Sequence, residues 1–289
     1  MLKYTYYVIE GEKMTTKRID LYEYFGITRP DACSGYLDVY THDICGEFTK
    51  GRIRPAMLVL PGGGYAYCSA REKEPIVFSY LSKGFNCYCL DYSVKENAKY
   101  PNPVLESVMA VLYIRQTAEE LATDPTKVCG VGFSAGGHLL GMLVTAYQNK
   151  EIRALLGDKV ESARLDGAIF SYPVILTDNT HKGSIDHITG GDNSLIPVVD
   201  IYKNVNSNST PAFIWTTVND GAVPSESSLE LACAYKRAGV PFELHMFADG
   251  LHGLSTATEE VNTPNPAVSV WIDLSLTWLK ASGFVHSKI

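Results

Sequence analysis

The sequence predicts one α/β domain, residues 1–289, in which a mostly parallel central sheet is covered by helices on both faces. From residue 54 onwards, short apolar segments of strand length alternate with segments whose apolar residues recur at helical spacing, and such alternation is typical of parallel sheets. The composition fits a sizeable buried core, because 46% of the residues are hydrophobic and 20% are charged. These proportions exclude a disordered chain.

The first part of the chain, residues 1–53, alternates in a way that predicts strands rather than helices. One such segment places Tyr4, Tyr6 and Val8 on one face, and residues 36–40 form a second. The chain contains eighteen tyrosines, and a half-buried sheet face accounts for most of them. Stacking of tyrosine rings on sugars is the alternative.

The strands and helices of the main part follow in regular order. The expected strands cover residues 54–60, 85–92, 128–131, 166–174, 213–218 and 242–247. The expected helices begin at Glu74, at Pro103, after Ser134, at Ser225 and at Val268. Pro75 and Gly84 bracket the first of these helices, because proline suits the first turn and glycine suits the residue after the last.

Residues 178–209 break this alternation. The segment is polar and rich in glycine, asparagine and serine, and at most one helical turn is expected in it, around residues 197–202. Irregular insertions of this length in compact domains are usually lids, binding loops or disordered segments. Because the insertion lies between two strands whose C-terminal ends should face a site, we expect a small lid or substrate-shaping loop rather than a linker.

A nucleophile elbow is predicted at Ser134. Gly132, Ser134 and Gly136 form the G-x-S-x-G pattern between a short buried strand and a helix. The serine of such an elbow is held in a strained backbone conformation. A side chain two residues away on either side would collide across the tight turn, so glycine is needed there.

The expected strand 54–60 runs directly into Pro61 and three glycines, Gly62, Gly63 and Gly64. A flexible turn is one interpretation of this triplet. The other is that bare backbone amides must come close to a ligand oxygen, which makes the segment a candidate oxyanion loop.

Asp220 and His252 each follow a later expected strand, as Ser134 does. In open α/β sheets, ligands bind at the carboxyl ends of the strands, so these three polar residues are expected to meet. A serine hydroxyl needs a base that takes its proton, and the base needs a partner that fixes its tautomer. Ser134, His252 and Asp220 are residues of the right types for these three roles.

These residues also have structural interpretations. Asp220 would suit a helix cap or a turn, and His252 would suit an exposed loop. His138, on the elbow helix, is expected to be a packing residue. Four side chains of the insertion imitate a metal cluster but lack a recognised ligand spacing, so that no metal is expected; they are His181, Asp186, His187 and Asp192.

Together, the motifs resemble the α/β-hydrolase esterases grouped with bacterial acetyl esterases and xylan-esterase-like proteins. The resemblance covers about residue 55 to the C-terminus and rests on residues 61–65, 132–138, 220–224 and 252–253. The chain order of serine, aspartate and histidine is also that of α/β-hydrolases. The resemblance implies that the oxyanion is held by the amides of Gly63, Gly64 and Ala135.

Two features depart from this group of esterases. Pro61 stands where lipase-like relatives often carry the histidine of an HGGG motif. The first 50 residues look like strands, whereas hormone-sensitive-lipase-like esterases have a long helical N-terminal cap. Substrate preference is therefore expected to depend chiefly on the insertion.

The expected reaction is hydrolysis of short-chain carboxylic esters, chiefly acetyl esters of small or carbohydrate-like alcohols. It would proceed through an acyl-enzyme on Ser134, with His252 as the base and Asp220 as its partner, and without a metal or an organic cofactor. Two alternatives stay open: a serine peptidase or amidase that uses the same three residues, and a non-catalytic binding protein on a hydrolase scaffold.

The charge and the cysteines bear on partners and location. A net charge of −7 and a pI of about 5.5 argue against nucleic acid or an anionic membrane as a partner, since either would call for a basic face. Seven cysteines without a C-x-x-C pair predict neither a disulfide framework nor a zinc site. No signal segment is recognised at the N-terminus, and no apolar run is long enough for a membrane helix.

We expect a cytoplasmic protein that acts on a small-molecule ester. The sequence leaves open whether the protein is a homo-oligomer.

Overall fold

The computed structural model describes residues 15–43, 52–175 and 181–284, and eight strands in this part of the chain form one sheet. The strands are β1 (Thr15–Asp20), β2 (Tyr36–Thr41), β3 (Arg54–Leu60), β4 (Asn86–Asp91), β5 (Thr123–Phe133), β6 (Gly167–Ser171), β7 (Ala212–Thr217) and β8 (Phe242–Phe247). Their order across the sheet is β1-β2-β4-β3-β5-β6-β7-β8. Strand β2 runs antiparallel to both β1 and β4, and all the other neighbours are parallel. The predicted mostly parallel sheet is confirmed.

Helices follow most of the strands. They are α1 (Leu21–Phe25), α2 (Glu74–Leu81), α3 (Asn102–Gln116), α4 (Ala135–Ala146), α5 (Lys150–Leu156), α6 (Lys182–Thr189), α7 (Ile196–Val199), α8 (Ile201–Asn204), α9 (Glu226–Ala238), α10 (Pro266–Ser269) and α11 (Trp271–Ala281). Local signals explain several of their ends. Pro75 lies in the first turn of α2, and Gly239 ends α9 with a φ of 69°, a left-handed conformation that glycine adopts without strain.

The core occupies both faces of the sheet, as predicted. Successive residues of β3 show this, because Leu58 packs into a cluster with residues of α3, α4 and α9, whereas Met57 and Val59 pack into a second cluster with residues of α2 and α11. All three side chains are fully buried. Strands that are covered on both faces have no polar alternation, which is why the apolar runs of the sequence are continuous.

The N-terminal strands are confirmed only in part. Strands β1 and β2 extend the sheet beyond β4, and β2 matches the predicted segment 36–40. The predicted alternation of Tyr4, Tyr6 and Val8 lies outside the described residues. Helix α1 was not predicted; Asp20 caps its first turn by accepting a hydrogen bond from the Glu23 amide.

The insertion is more regular than predicted. Instead of at most one helical turn it contains α6, α7 and α8. Ile185 and Ile188 of α6 and Ile201 of α8 are buried, so tertiary packing stabilises helices that are too short and too polar to be recognised from local propensity. Whether the insertion shapes the substrate site stays a prediction.

Three smaller differences concern helix and strand ends. Strand β6 stops at Ser171 rather than at residue 174, because Tyr172 takes a φ of 38°, outside the β region. The terminal helix begins at Pro266 and is divided at Val270 into α10 and α11. Helix α5 was not predicted. None of the helices in the described residues has the length and apolar character needed to cross a bilayer.

Candidate active site

The elbow joins β5 to α4 through a single residue, Ser134. Its φ of 51° and ψ of −117° lie outside the regions that are favourable for residues with a side chain. A Cβ atom on Gly132 would lie 2.4 Å from the Gly136 carbonyl oxygen, and one on Gly136 would lie 2.2 Å from the Leu60 carbonyl oxygen. The steric need for both glycines is therefore confirmed. The turn presses the start of α4 against the end of β3.

Ser134, His252 and Asp220 form one hydrogen-bonded chain. The Nε2 atom of His252 lies 2.8 Å from the Ser134 hydroxyl oxygen, and its Nδ1 atom lies 2.7 Å from Oδ2 of Asp220. Asp220 stands three residues after β7, and His252 stands five residues after β8. The carboxyl ends of three parallel strands thus bring together residues that are far apart in sequence.

Asp220 defines the tautomer of His252. A carboxylate can only accept, so Nδ1 of His252 carries a proton and Nε2 is left to accept the proton of the Ser134 hydroxyl. Burial alone would raise the pKa of Asp220, but the hydrogen bond and charge of His252, together with two backbone amides, lower it below its usual value. Those amides belong to Ala222 and Val223 and donate to Oδ1 over 2.9 Å each. Asp220 therefore also forms the turn that its alternative interpretation required.

The candidate oxyanion loop is anchored through its carbonyl groups. The Gly62 carbonyl accepts from the Ser69 amide over 2.9 Å, and the Gly63 carbonyl accepts from the Ala66 amide over 2.9 Å. In a planar trans peptide the C=O and the following N–H point in opposite directions, so the N–H groups of Gly63 and Gly64 point away from the turn at 66–69. Within the described residues, neither N–H group has an acceptor.

The other two amides at the site differ from each other. The Gly62 N–H donates to Oε2 of Glu72 over 2.7 Å, so it is not available to a ligand. Ala135 is the first residue of α4, where helical amides have no acceptor within the helix. The structure thus places all three predicted oxyanion residues, Gly63, Gly64 and Ala135, beside Ser134.

Two buried residues that the sequence did not reveal support this arrangement. Glu72 accepts the Gly62 amide and also accepts the Tyr172 hydroxyl over 2.7 Å. The same hydroxyl accepts the Ser255 amide over 2.9 Å, and the Tyr172 ring lies edge-on to His252 with 5.1 Å between centroids. Burial raises the pKa of Glu72, although these hydrogen bonds act in the opposite direction. Glu72 and Tyr172 join the glycine loop to the histidine loop, and no local motif indicates such a long-range pair.

A cavity of about 340 Å³ opens over the serine and is walled by part of the insertion. Its lining residues are Gly63, Gly64, Ala66, Tyr67, Ser69, Arg71, Glu72, Ser134, His181, Gly183, His187, His252 and Gly253. His181 and His187 therefore belong to the cavity wall. They do not converge with Asp186 and Asp192: the described residues contain no group of three or more His, Cys, Asp or Glu side chains that could hold a metal ion.

Known proteins resemble this chain in sequence and in fold. The family model described as BD-FAE matches residues 37–235, which is more than half of the chain. An endo-1,4-beta-xylanase B of Butyrivibrio fibrisolvens is 35% identical over 72% of this chain and 33% of its own length. An acetylxylan esterase of Xylanibacter ruminicola is 27% identical over 70% of this chain and 42% of its own length.

The chain thus spans only 33% and 42% of the length of these two curated relatives. A solved structure agrees over nearly the whole chain. The acetyl ester-xyloside bifunctional hydrolase from Caldicellulosiruptor lactoaceticus is 32% identical, with a TM-score of 0.75 over 89% of this chain and 91% of that one. The fold is that of the α/β-hydrolases, and the chain belongs to the BD-FAE family.

Proposed function

We propose that this protein is a serine hydrolase that cleaves short-chain carboxylic esters, chiefly acetyl esters of small or carbohydrate-like alcohols. One observation carries the proposal. The hydrogen-bonded chain of Ser134, His252 and Asp220 opens into the same cavity as two amides, of Gly63 and Gly64, that have no acceptor among the described residues. This is the combination that acyl transfer requires: an activated nucleophile and donors for the oxyanion.

The reaction follows from the protonation states. As the Ser134 oxygen attacks the ester carbonyl carbon, its proton passes to Nε2 of His252, and Asp220 stabilises the imidazolium that forms. The negative oxygen of the tetrahedral intermediate is held by the N–H groups of Gly63, Gly64 and Ala135. His252 then gives its proton to the leaving alcohol. Water, deprotonated by His252, hydrolyses the acyl-enzyme and restores Ser134, and no step calls for a metal or an organic cofactor.

The cavity supports a short acyl group and a polar alcohol. Among the described residues that line it, the only aliphatic side chain is the methyl group of Ala66. A long acyl chain would gain about 0.8 kcal/mol per buried methylene in an aliphatic channel, whereas the described lining residues supply aromatic rings, polar groups and one methyl group. The ring of Tyr67, which is 60% exposed, lies at the cavity and offers a flat amphipathic surface to the alcohol. The acetylxylan esterase and acetyl ester-xyloside hydrolase similarities point the same way.

Replacement of the nucleophile tests the proposal. Ser134→Ala should fold normally and hydrolyse p-nitrophenyl acetate about 10⁴- to 10⁶-fold more slowly, because covalent catalysis is lost. Circular dichroism checks the fold, and a fluorophosphonate probe should label the wild type but not the variant. Near-normal hydrolysis by Ser134→Ala would overturn the assignment. Absence of labelling in the wild type would favour a non-catalytic protein.

The substrate class is tested with three sets of substrates. Esters of p-nitrophenol from acetate to octanoate should show kcat/KM falling with chain length. Acetylated xylo-oligosaccharides test the carbohydrate-like alcohol, and matched peptide amides test the peptidase alternative. Preference for octanoate, or for amides over esters, would contradict the acetyl esterase proposal.

We propose further that the protein acts in the cytoplasm without a nucleic-acid or membrane partner. The described cysteines all carry free thiols, and the net charge is −7. Free thiols are typical of a reducing compartment, and nucleic acid or an anionic membrane would call for a basic surface. Cell fractionation tests the location, and native mass spectrometry determines whether the chain forms a homo-oligomer.

A further inference from the structure

Three side chains of the insertion contact one residue of the oxyanion loop, Gly64; two belong to α6 and the third to the residue just before it. Nδ1 of His187 lies 3.1 Å from the Gly64 carbonyl oxygen. A carbonyl oxygen can only accept, so Nδ1 carries the proton and donates it. Cε1 of His181 and the hydroxyl oxygen of Ser184 would lie 3.4 and 3.8 Å from a Cβ atom on Gly64, so both side chains pack against its bare α-carbon.

A second connection runs from α7 to the next residue of the loop, Tyr65, through His138. Nε2 of His138 lies 2.9 Å from the Val199 carbonyl oxygen and therefore donates to it. Nδ1 is then the acceptor for the Tyr65 hydroxyl, 2.9 Å away. Both rings are fully buried, and burial lowers the pKa of His138 to about 4, so His138 is neutral near pH 7 and keeps this tautomer.

These two connections matter because the amides of residues 66–69 anchor the carbonyl groups of Gly62 and Gly63 but not that of Gly64. Gly64 has a φ of 64° and Tyr65 a φ of 58°, and glycine reaches many other conformations at no steric cost. The Gly63 carbonyl is held by the Ala66 amide, which fixes the peptide that carries the Gly64 N–H. The Gly64 carbonyl is held by His187, which fixes the next peptide. The insertion thus completes the restraint on the loop.

We propose that His187 and His138 are positioning residues that join the insertion to the oxyanion loop, so that docking of α6 and α7 holds Gly64 and Tyr65 in place and with them the position of the Gly64 N–H relative to Ser134. The inference rests on the proposed esterase function and deepens it. The insertion would then control the rate of bond cleavage as well as the choice of substrate. An oxyanion donor acts in the transition state and not in substrate binding, so its misalignment lowers kcat and leaves KM nearly unchanged.

The first test compares two replacements of His187. His187→Leu removes the donor, and its kcat for p-nitrophenyl acetate should fall about 10- to 100-fold, less than the loss of a whole oxyanion donor. His187→Asn carries an amide nitrogen close to the position of Nδ1 and should recover most of the lost kcat. Because His187 also lines the cavity, its replacement changes contacts with the substrate as well. Tyr65 does not line the cavity, so KM of Tyr65→Phe should stay within about twofold of the wild-type value.

The second test is conservative and serves if His187→Leu fails to fold. Tyr65→Phe removes only the hydroxyl that bonds to His138, and kcat should fall severalfold. The matched control is Tyr88→Phe, since Tyr88 is equally buried and its hydroxyl lies 2.9 Å from Thr123, at the opposite end of β5 from the serine. Tyr65→Phe leaves the buried Nδ1 of His138 without its donor, at a cost of about 1 to 3 kcal/mol, whereas Thr123 keeps the Asn86 amide as a donor after Tyr88→Phe. Urea unfolding of both variants therefore separates a loss of stability from a loss of kcat.

The outcomes distinguish a failure of this inference from a failure of the proposed function. Recovery of kcat in His187→Asn, together with a fall in kcat at constant KM in Tyr65→Phe, supports the inference. Unchanged kcat in both His187→Leu and Tyr65→Phe would overturn it, and so would a rise in KM alone, which would mean that the insertion acts only on substrate binding. If the wild type hydrolysed no ester, the proposed function would fail and the inference with it.

Discussion

Asp220→Asn is expected to reverse the tautomer of His252. In the wild type, Oδ1 of Asp220 accepts two amides, of Ala222 and Val223, and Oδ2 accepts Nδ1 of His252. The oxygen of an asparagine is expected to keep the two amide hydrogen bonds, so that its NH₂ group faces His252. Nδ1 must then become an acceptor, the proton moves to Nε2, and the ring can no longer take the proton of Ser134.

The size of the effect follows from those hydrogen bonds. Turning the asparagine to face His252 with its oxygen would break two amide bonds of about 1 kcal/mol each, which leaves about 3% of the molecules competent, a loss of about 30-fold. The carboxylate charge opposite the imidazolium is also lost, and a hydrogen bond to a charged group contributes about 1.5 to 3 kcal/mol. Together these terms predict a fall in kcat of about 4 × 10²- to 5 × 10³-fold.

Steady-state hydrolysis of p-nitrophenyl acetate measures this fall directly. Asp124→Asn is the matched control, because Asp124 also accepts a backbone amide in a turn, that of Thr126 over 2.9 Å, but lies at the far end of β5. It should retain wild-type kcat. An Asp220→Asn enzyme within tenfold of the wild type would refute the assignment of the tautomer, and with it the role of Asp220.

Two further predictions concern stability. Gly136→Ala would push a methyl group to within 2.2 Å of the Leu60 carbonyl oxygen, so urea unfolding should show that the free energy of unfolding falls by at least about 2 kcal/mol. The control is Gly183→Ala, which has no neighbour within 4 Å of its Cβ position and should lose no stability. Equal losses in the two variants would contradict the packing argument. Because the pKa of His138 is lowered to about 4 in the folded protein, its contribution to stability is fully present above the unfolded pKa of about 6.5 and is lost as the pH falls toward 4, by about 3 kcal/mol in all. His138→Asn should flatten this part of the pH profile of the urea midpoint, and an unchanged slope would mean that His138 is not the group responsible.

Short-range patterns predicted the parts of the site that depend on local chemistry. The elbow needs Gly132 and Gly136 because a Cβ atom at either position would collide with a backbone carbonyl oxygen, so the motif could be recognised in the sequence. Asp220 and His252 follow strands, and the rule that parallel strands present their carboxyl ends to one crevice brought them together. The sheet could be predicted because its strands are apolar and alternate with segments of helical periodicity.

Long-range contacts could not be predicted. Glu72 and Tyr172 are a hundred residues apart, and their hydrogen bond depends on the paths of two loops. His138 was expected to be a packing residue and is indeed fully buried, yet its hydrogen bond to Val199 exists only because the insertion folds back over α4. The helices of the insertion were missed because they are stabilised by the packing of a few isoleucines against residues that are distant in sequence. Local helix propensity does not depend on such contacts.

The order of the strands places Ser134 and His252 after strands that differ in local stability. Ser134 follows β5, which has neighbours on both sides, whereas His252 follows β8, the last strand of the described sheet, all six residues of which are partly exposed. Edge strands open at a lower free energy than central ones. A sub-global opening that releases β8 would carry the base away from the nucleophile while most of the domain kept its shape. The time for which the protein stays active would then depend on the stability of the edge strand β8 rather than on that of the central strands.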